Sequence, residues 1–296
     1  MRFTAAFVSL LLLSGAPVPA HDLTPFQEPG PSHVLHRDVS PSGEETINVE
    51  TYVAPACAAK PCPLVIAIHG LNRDAGRARD EWIEAADRYG LIVAAPHFDR
   101  ERFPTRLFQQ GGVRDRPDSA GWVFATVERF FDRALASGRV AGTGYVLFGH
   151  SAGAQFVQRM VLFSPQARFS TAVAANAGYY TLPVGKEAAG GFDYPYSLGA
   201  TPLADAPPRA AFARRMLVML GDRDTDPDHA ALNRSRGARA QGADRFTRGR
   251  DFMTVASAEA ARIGAALNWR QIVVPGVAHE SGKMASAAAQ AVFGAP

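Results

Sequence analysis

Cysteine is scarce in this chain, with only two in 296 residues, Cys57 and Cys62. That excludes a multi-cysteine metal cluster, and their spacing is not the C-x-x-C of a redox pair. No run of like charge and no basic stretch interleaved with aromatics occurs, and the formal net charge is only +3. A nucleic-acid-binding face is therefore not indicated, and the charges read as a solvated surface. No apolar stretch is long enough to span a bilayer, which excludes a stable membrane anchor. Internal repeats and low-complexity tracts are also missing. What is present is ordinary globular composition, 47% hydrophobic and 20% charged, with length for a large core.

The first twenty residues have the layout of a signal peptide: Arg2, an apolar run over residues 7–13, then Val18-Pro19-Ala20 at a cleavage position. The expected mature chain is a single domain over residues 21–296, exported to the periplasm or the cell exterior. Cys57 and Cys62 flank a short loop before an apolar strand, and in an oxidising compartment they are expected to pair as a local staple.

Residues 21–44 read as an extended lead-in without periodicity, and residues 46–53 alternate as a half-buried strand does. Apolar runs at 63–68 and 91–95 predict buried strands, and further strands are expected at 145–148, 171–175, 216–220 and 271–274. Helical spacing falls between them, at residues 80–89, 122–136, from 152 to about 162, and 281–293. Strands alternating with helices predict an α/β fold with a mainly parallel sheet covered on both faces. Residues 177–212, rich in Gly, Pro and Tyr, fit least and read as an insertion over the sheet.

The chemistry centres on Gly149-His150-Ser151-Ala152-Gly153, placed between an apolar strand and a helix. A serine can attack a carbonyl only from a sharp turn that lifts its oxygen clear of the backbone, and small flanking residues make that turn possible. With this motif the sequence resembles an α/β-hydrolase over nearly all of the mature chain. The resemblance implies a serine hydrolase whose acid and histidine follow in that order, each just after a later strand. After residues 216–220 come Asp222, Asp224, Asp226 and Asp228, and the family pattern of Gly, two residues, then Asp selects Asp224, with Asp226 and Asp222 as alternatives. A calcium loop counted from Asp222 would put Pro227 where glycine is required and Asn233 where glutamate is, so that reading is rejected. Pro275-Gly276-Val277-Ala278-His279 supplies the base, His279, with His229 as a rival placed too soon after the acid.

By the same resemblance, the backbone N–H groups of Ala152 and Leu71 form the oxyanion hole, and His69 orients the Leu71 loop. Tyr179 and Tyr180 are expected to face the cleft and bind substrate, while Trp82 and Trp122 are expected in the core. No metal or cofactor is called for. The disulfide near an early strand and the Arg-rich residues 244–250 resemble secreted esterases of the polyhydroxybutyrate depolymerase and feruloyl esterase type. The expected partner is an ester, small or polymeric. Alternatives are a polyester depolymerase, a serine peptidase or amidase, and a non-catalytic binding protein on the same fold.

Overall fold

The computed structural model describes residue 26 and residues 28–294. The expected signal peptide, residues 1–20, lies outside the described residues. Among the described residues, eight strands form one sheet: β1 (Gly30–Ser40), β2 (Gly43–Val53), β3 (Leu64–Ile68), β4 (Ile92–Pro96), β5 (Tyr145–His150), β6 (Phe169–Ala175), β7 (Met216–Gly221) and β8 (Trp269–Val274). Their order is β1-β2-β4-β3-β5-β6-β7-β8. From β4 to β8 every neighbouring pair is parallel, whereas β2 runs antiparallel to both β1 and β4. The helices are α1 (Ala75–Asp80), α2 (Ile83–Tyr89), α3 (Thr105–Phe108), α4 (Val123–Ala136), α5 (Ala152–Phe163), α6 (Arg209–Phe212), α7 (Arg236–Arg239), α8 (Arg245–Arg262) and α9 (Ser281–Phe293).

Strands β3, β4, β5 and β7 are buried along their whole length. That is why they read as unbroken apolar runs rather than alternating ones. Helix α5 packs on β3, β5 and β6, and α9 packs on β5, β6 and β7. The expected helix over 80–89 is two: α1 ends at Asp80 and α2 begins after Trp82, ending at the left-handed Gly90 (φ 65°). Trp82 and Trp122 are both buried, as expected. Cys57 and Cys62 form a disulfide with Cα atoms 5.8 Å apart, closing the loop that enters β3.

One further feature differs from the sequence expectation. The lead-in carries an eleven-residue strand, β1, paired with β2 along its whole length. Its inward positions are Val34, His36 and Asp38, so the apolar alternation that marks a half-buried strand is missing. Residues 177–212 form the expected insertion between β6 and β7, and those of its first part, residues 177–184, are all buried. They pair with the chain's return through Leu182 N–H to Tyr196 O (2.9 Å) and Leu198 N–H to Val184 O (2.9 Å).

Candidate active site

The turn from β5 into α5 places Ser151 at φ 57°, ψ −113°, a conformation that costs a non-glycine residue about 1–3 kcal/mol. The neighbouring glycines explain how the turn fits. A Cβ on Gly149 would come within 2.4 Å of the Gly153 backbone, and one on Gly153 within 2.2 Å of the Ile68 carbonyl. Any larger residue at either position would push the turn off the sheet. Ser151 N–H is tied to Ala175 O at 2.9 Å, which fixes the turn against β6.

Two loops at the carboxyl ends of β7 and β8 bring Asp224 and His279 to this serine. His279 Nε2 lies 3.0 Å from Ser151 Oγ, and its Nδ1 lies 2.7 Å from Asp224 Oδ2. The other Asp224 oxygen accepts from Arg245 Nη1 at 3.1 Å, and both side chains are almost wholly buried. A carboxylate so placed is held by both oxygens and cannot rotate away from the imidazole. The competing carboxylates have other partners. Asp222 accepts from Gly276 N–H (2.7 Å) and so shapes the turn that precedes His279. Asp226 accepts from Asp228 N–H on the surface.

The loops are locked together by Asn176, which follows β6 in a left-handed conformation (φ 48°). Its Oδ1 accepts from Gly221 N–H at 2.8 Å, and its Nδ2 donates to Ala278 O at 3.0 Å. A Cβ on Gly221 would meet Val277 O at 2.3 Å, so the His279 loop rests directly on the end of β7.

A cleft of about 240 Å³ opens over Ser151 and His279 and is lined also by His69, Gly70, Leu71, Asn72, His150 and His229. Ala152 opens α5, where an N–H has no carbonyl to bond within the helix. Leu71 N–H has no hydrogen-bond partner among the described residues. His69 shapes the Leu71 loop: its Nε2 accepts from Phe98 N–H (3.0 Å), its Nδ1 faces Gly70 O (3.1 Å), and burial lowers its pKa to about 3. It therefore stays neutral with the proton on Nδ1. His150 sits under His279, with ring centroids 4.5 Å apart. Burial first, and then His279 and Arg245, press its pKa well below the usual histidine value.

Tyr179 and Tyr180 are not in the cleft, which corrects the expectation for them. Tyr179 lies beneath the buried Arg159 guanidinium, 4.8 Å from its ring centroid, and Arg159 is anchored on Thr181 Oγ1 and Gln109 O. Tyr180 stacks on Phe252 at 4.4 Å, and its backbone is bracketed by the Gln241 side chain. Following a strand's carboxyl end puts a residue near the crevice, but here the chain turns inward at Asn176 and buries both rings. Sequence reasoning did not single out Asn176 or Arg245, and it treated His229 only as a rival base. An asparagine immediately after a buried strand is the one signal that could have flagged the first. Among the described residues, no group of His, Cys, Asp or Glu is arranged to hold a metal ion.

No family model matches the chain, and no curated protein does. Solved structures do match. Poly(aspartic acid) hydrolase-1 from Sphingomonas sp. KT-1 is 32% identical, aligning 90% of this chain with 99% of that one at a TM-score of 0.82. The poly(3-hydroxybutyrate) depolymerase LpqC from Bordetella parapertussis is 29% identical, over 90% of this chain and 91% of that one, with a TM-score of 0.81. The siderophore hydrolase EstB from Aspergillus nidulans shares the fold at 14% identity and a TM-score of 0.56, over 90% of this chain and 96% of that one.

Proposed function

The chain belongs to the α/β-hydrolase family of serine esterases and depolymerases, and from that premise we propose that it is an exported hydrolase of carboxylic esters working through an acyl-enzyme on Ser151. The observation that carries the reading is the unbroken chain of hydrogen bonds from Ser151 Oγ through His279 to Asp224. His279 Nε2 takes the hydroxyl proton as Ser151 Oγ attacks the ester carbonyl. The negative charge that develops on the carbonyl oxygen meets the N–H groups of Ala152 and Leu71. His279 then delivers its proton to the departing alcohol, and water, activated by the same imidazole, releases the acid. Asp224 keeps the His279 proton on Nδ1 and stabilises the imidazolium that forms. The disulfide and the signal-like residues 1–20 support export.

Cleavage of amide bonds in an acidic polymer is the second reading, favoured by the 32% identity to a poly(aspartic acid) hydrolase. One panel separates the two: 4-nitrophenyl esters, poly(3-hydroxybutyrate) suspension and poly(aspartic acid), each offered to the wild type and to Ser151→Ala. Turnover of the esters, lost in Ser151→Ala, is the expected result. Release from poly(aspartic acid) with inert esters would replace the ester reading. Ester turnover that survives in Ser151→Ala would remove the mechanism altogether.

A further inference from the structure

His229 stands in the loop between Asp224 and α7 and lines the cleft beside His279, their ring centroids 5.2 Å apart. Its Nδ1 faces two donors. Ala231 N–H lies 3.1 Å away and Arg245 Nη2 lies 3.2 Å away. An arginine always carries its protons, so Nδ1 can only accept, and the proton of the neutral ring must sit on Nε2. Burial first, then the charges of Arg245 and His279, lower the pKa of this histidine and favour that neutral form. Its Nε2 has no hydrogen-bond partner among the described residues. The ring is only partly buried and lines the cleft, with its Nδ1 edge turned to Arg245 and Ala231.

The scissile carbonyl oxygen already has its donors in Leu71 and Ala152, so a further donor in the same cleft serves a different oxygen. We propose that His229 is a specificity-determining residue whose Nε2–H binds a second acceptor oxygen of the substrate, a few bonds from the scissile ester. The substrate class is then an ester that carries another carbonyl oxygen close by, as in an oligoester or a 3-acyloxy acid, rather than a plain alkanoate. The assignment rests on the ester-hydrolase reading above.

The test compares 4-nitrophenyl butyrate with 4-nitrophenyl 3-acetoxybutyrate in the wild type, His229→Asn and His229→Gln. The asparagine amide can still meet Arg245 where Nδ1 does but cannot reach the position of Nε2, while the glutamine amide N–H can reach it. The ratio of kcat/KM, acetoxy ester over plain ester, is expected to fall about tenfold in His229→Asn, the size of one neutral hydrogen bond, and to return to within about threefold of wild type in His229→Gln. An unchanged ratio in His229→Asn, including an equal loss on both esters, would overturn the proposal. So would an equal fall of the ratio in both variants, since an N–H restored at the position of Nε2 would then make no difference. A wild type that turns over neither ester contradicts instead the ester-hydrolase reading itself.

Discussion

Two buried aspartates in this molecule each meet an arginine and a histidine, yet one cluster lies buried against a helix while the histidine of the other lines the cleft over Ser151. Asp38, on β1, accepts from Thr126 Oγ1 and from Arg129 on α4, with His36 Nε2 3.7 Å away. Asp224, past the end of β7, accepts from Arg245 and faces His279. In the first, His36 turns its ring edge-on to Phe130, and neither of its nitrogens has a hydrogen-bond partner. In the second, the histidine reaches a serine on a strained turn. The residue types are the same, so composition does not make a site. Position does: Asp38 lies within a strand and under a helix, whereas Asp224 lies at the carboxyl ends of parallel strands, where loops leave a crevice.

The largest expected effect tests the open cluster alone. Ser151→Ala should lower kcat on 4-nitrophenyl butyrate by at least about 10⁴-fold while the urea midpoint stays at the wild-type value or rises as the strained turn relaxes. Next, matched substitutions should split the two clusters. Asp224→Asn should cost about 10⁴-fold in kcat, because the amide favours the wrong imidazole tautomer. Asp38→Asn should leave kcat alone and lower unfolding free energy by about 3 kcal/mol, since it leaves Arg129 half-paired. If Asp38→Asn instead cost activity and Asp224→Asn only stability, the assignment of roles would be reversed.

Much of this contrast was legible in the sequence, and its limits have physical causes. Ser151 and Asp224 each follow a fully buried apolar strand, and His279 follows the partly apolar edge strand β8, so the strand ends also announce where the crevice lies. Asp38 was hidden because β1 turns His36 and Asp38 inward and so loses its alternation. Helix α8 was hidden in part by Gly249, which reads as a breaker. A Cβ there would lie 2.3 Å from Leu220 Cδ2, so glycine lets this helix sit close on β7. The fate of Tyr179 hangs on Arg159, a buried guanidinium on α5 with partners distant in sequence, and that of Tyr180 on Phe252 and Gln241. Such long-range polar contacts leave no local pattern.

Acidity should distinguish the regions a second time. Burial lowers the pKa of His69 to about 3 and that of His150 well below its usual value, whereas the unfolded chain binds those protons near pH 6.5. Their contribution is therefore complete above pH 6.5 and lost as the pH falls below it, with His69 alone accounting for roughly 2 kcal/mol by pH 5. Asp38 acts in a lower window. Burial would raise its pKa, but the Arg129 guanidinium, the nearby His36 ring and the Thr126 hydroxyl outweigh that and pull it well below the carboxylate range. Its contribution holds above about pH 4 and is lost below that. Urea titrations at pH 7, 6, 5 and 3.5 should show both losses. His69→Gln should flatten the upper one and Asp38→Asn the lower, and a flat wild-type profile from pH 7 to 5 would contradict the neutral assignment of the cleft histidines. The smallest effect belongs to the staple before β3: Cys57→Ser with Cys62→Ser should cost about 2 kcal/mol and leave kcat unchanged.

The account turns on Ser151 being the atom that attacks. An alkyl fluorophosphonate forms a lasting bond with an activated serine, and its position can be read by peptide mass mapping. One adduct per chain, on the peptide carrying Ser151 and absent from His279→Ala, is the predicted result. An unlabelled wild-type protein, or an adduct on another residue, would contradict it.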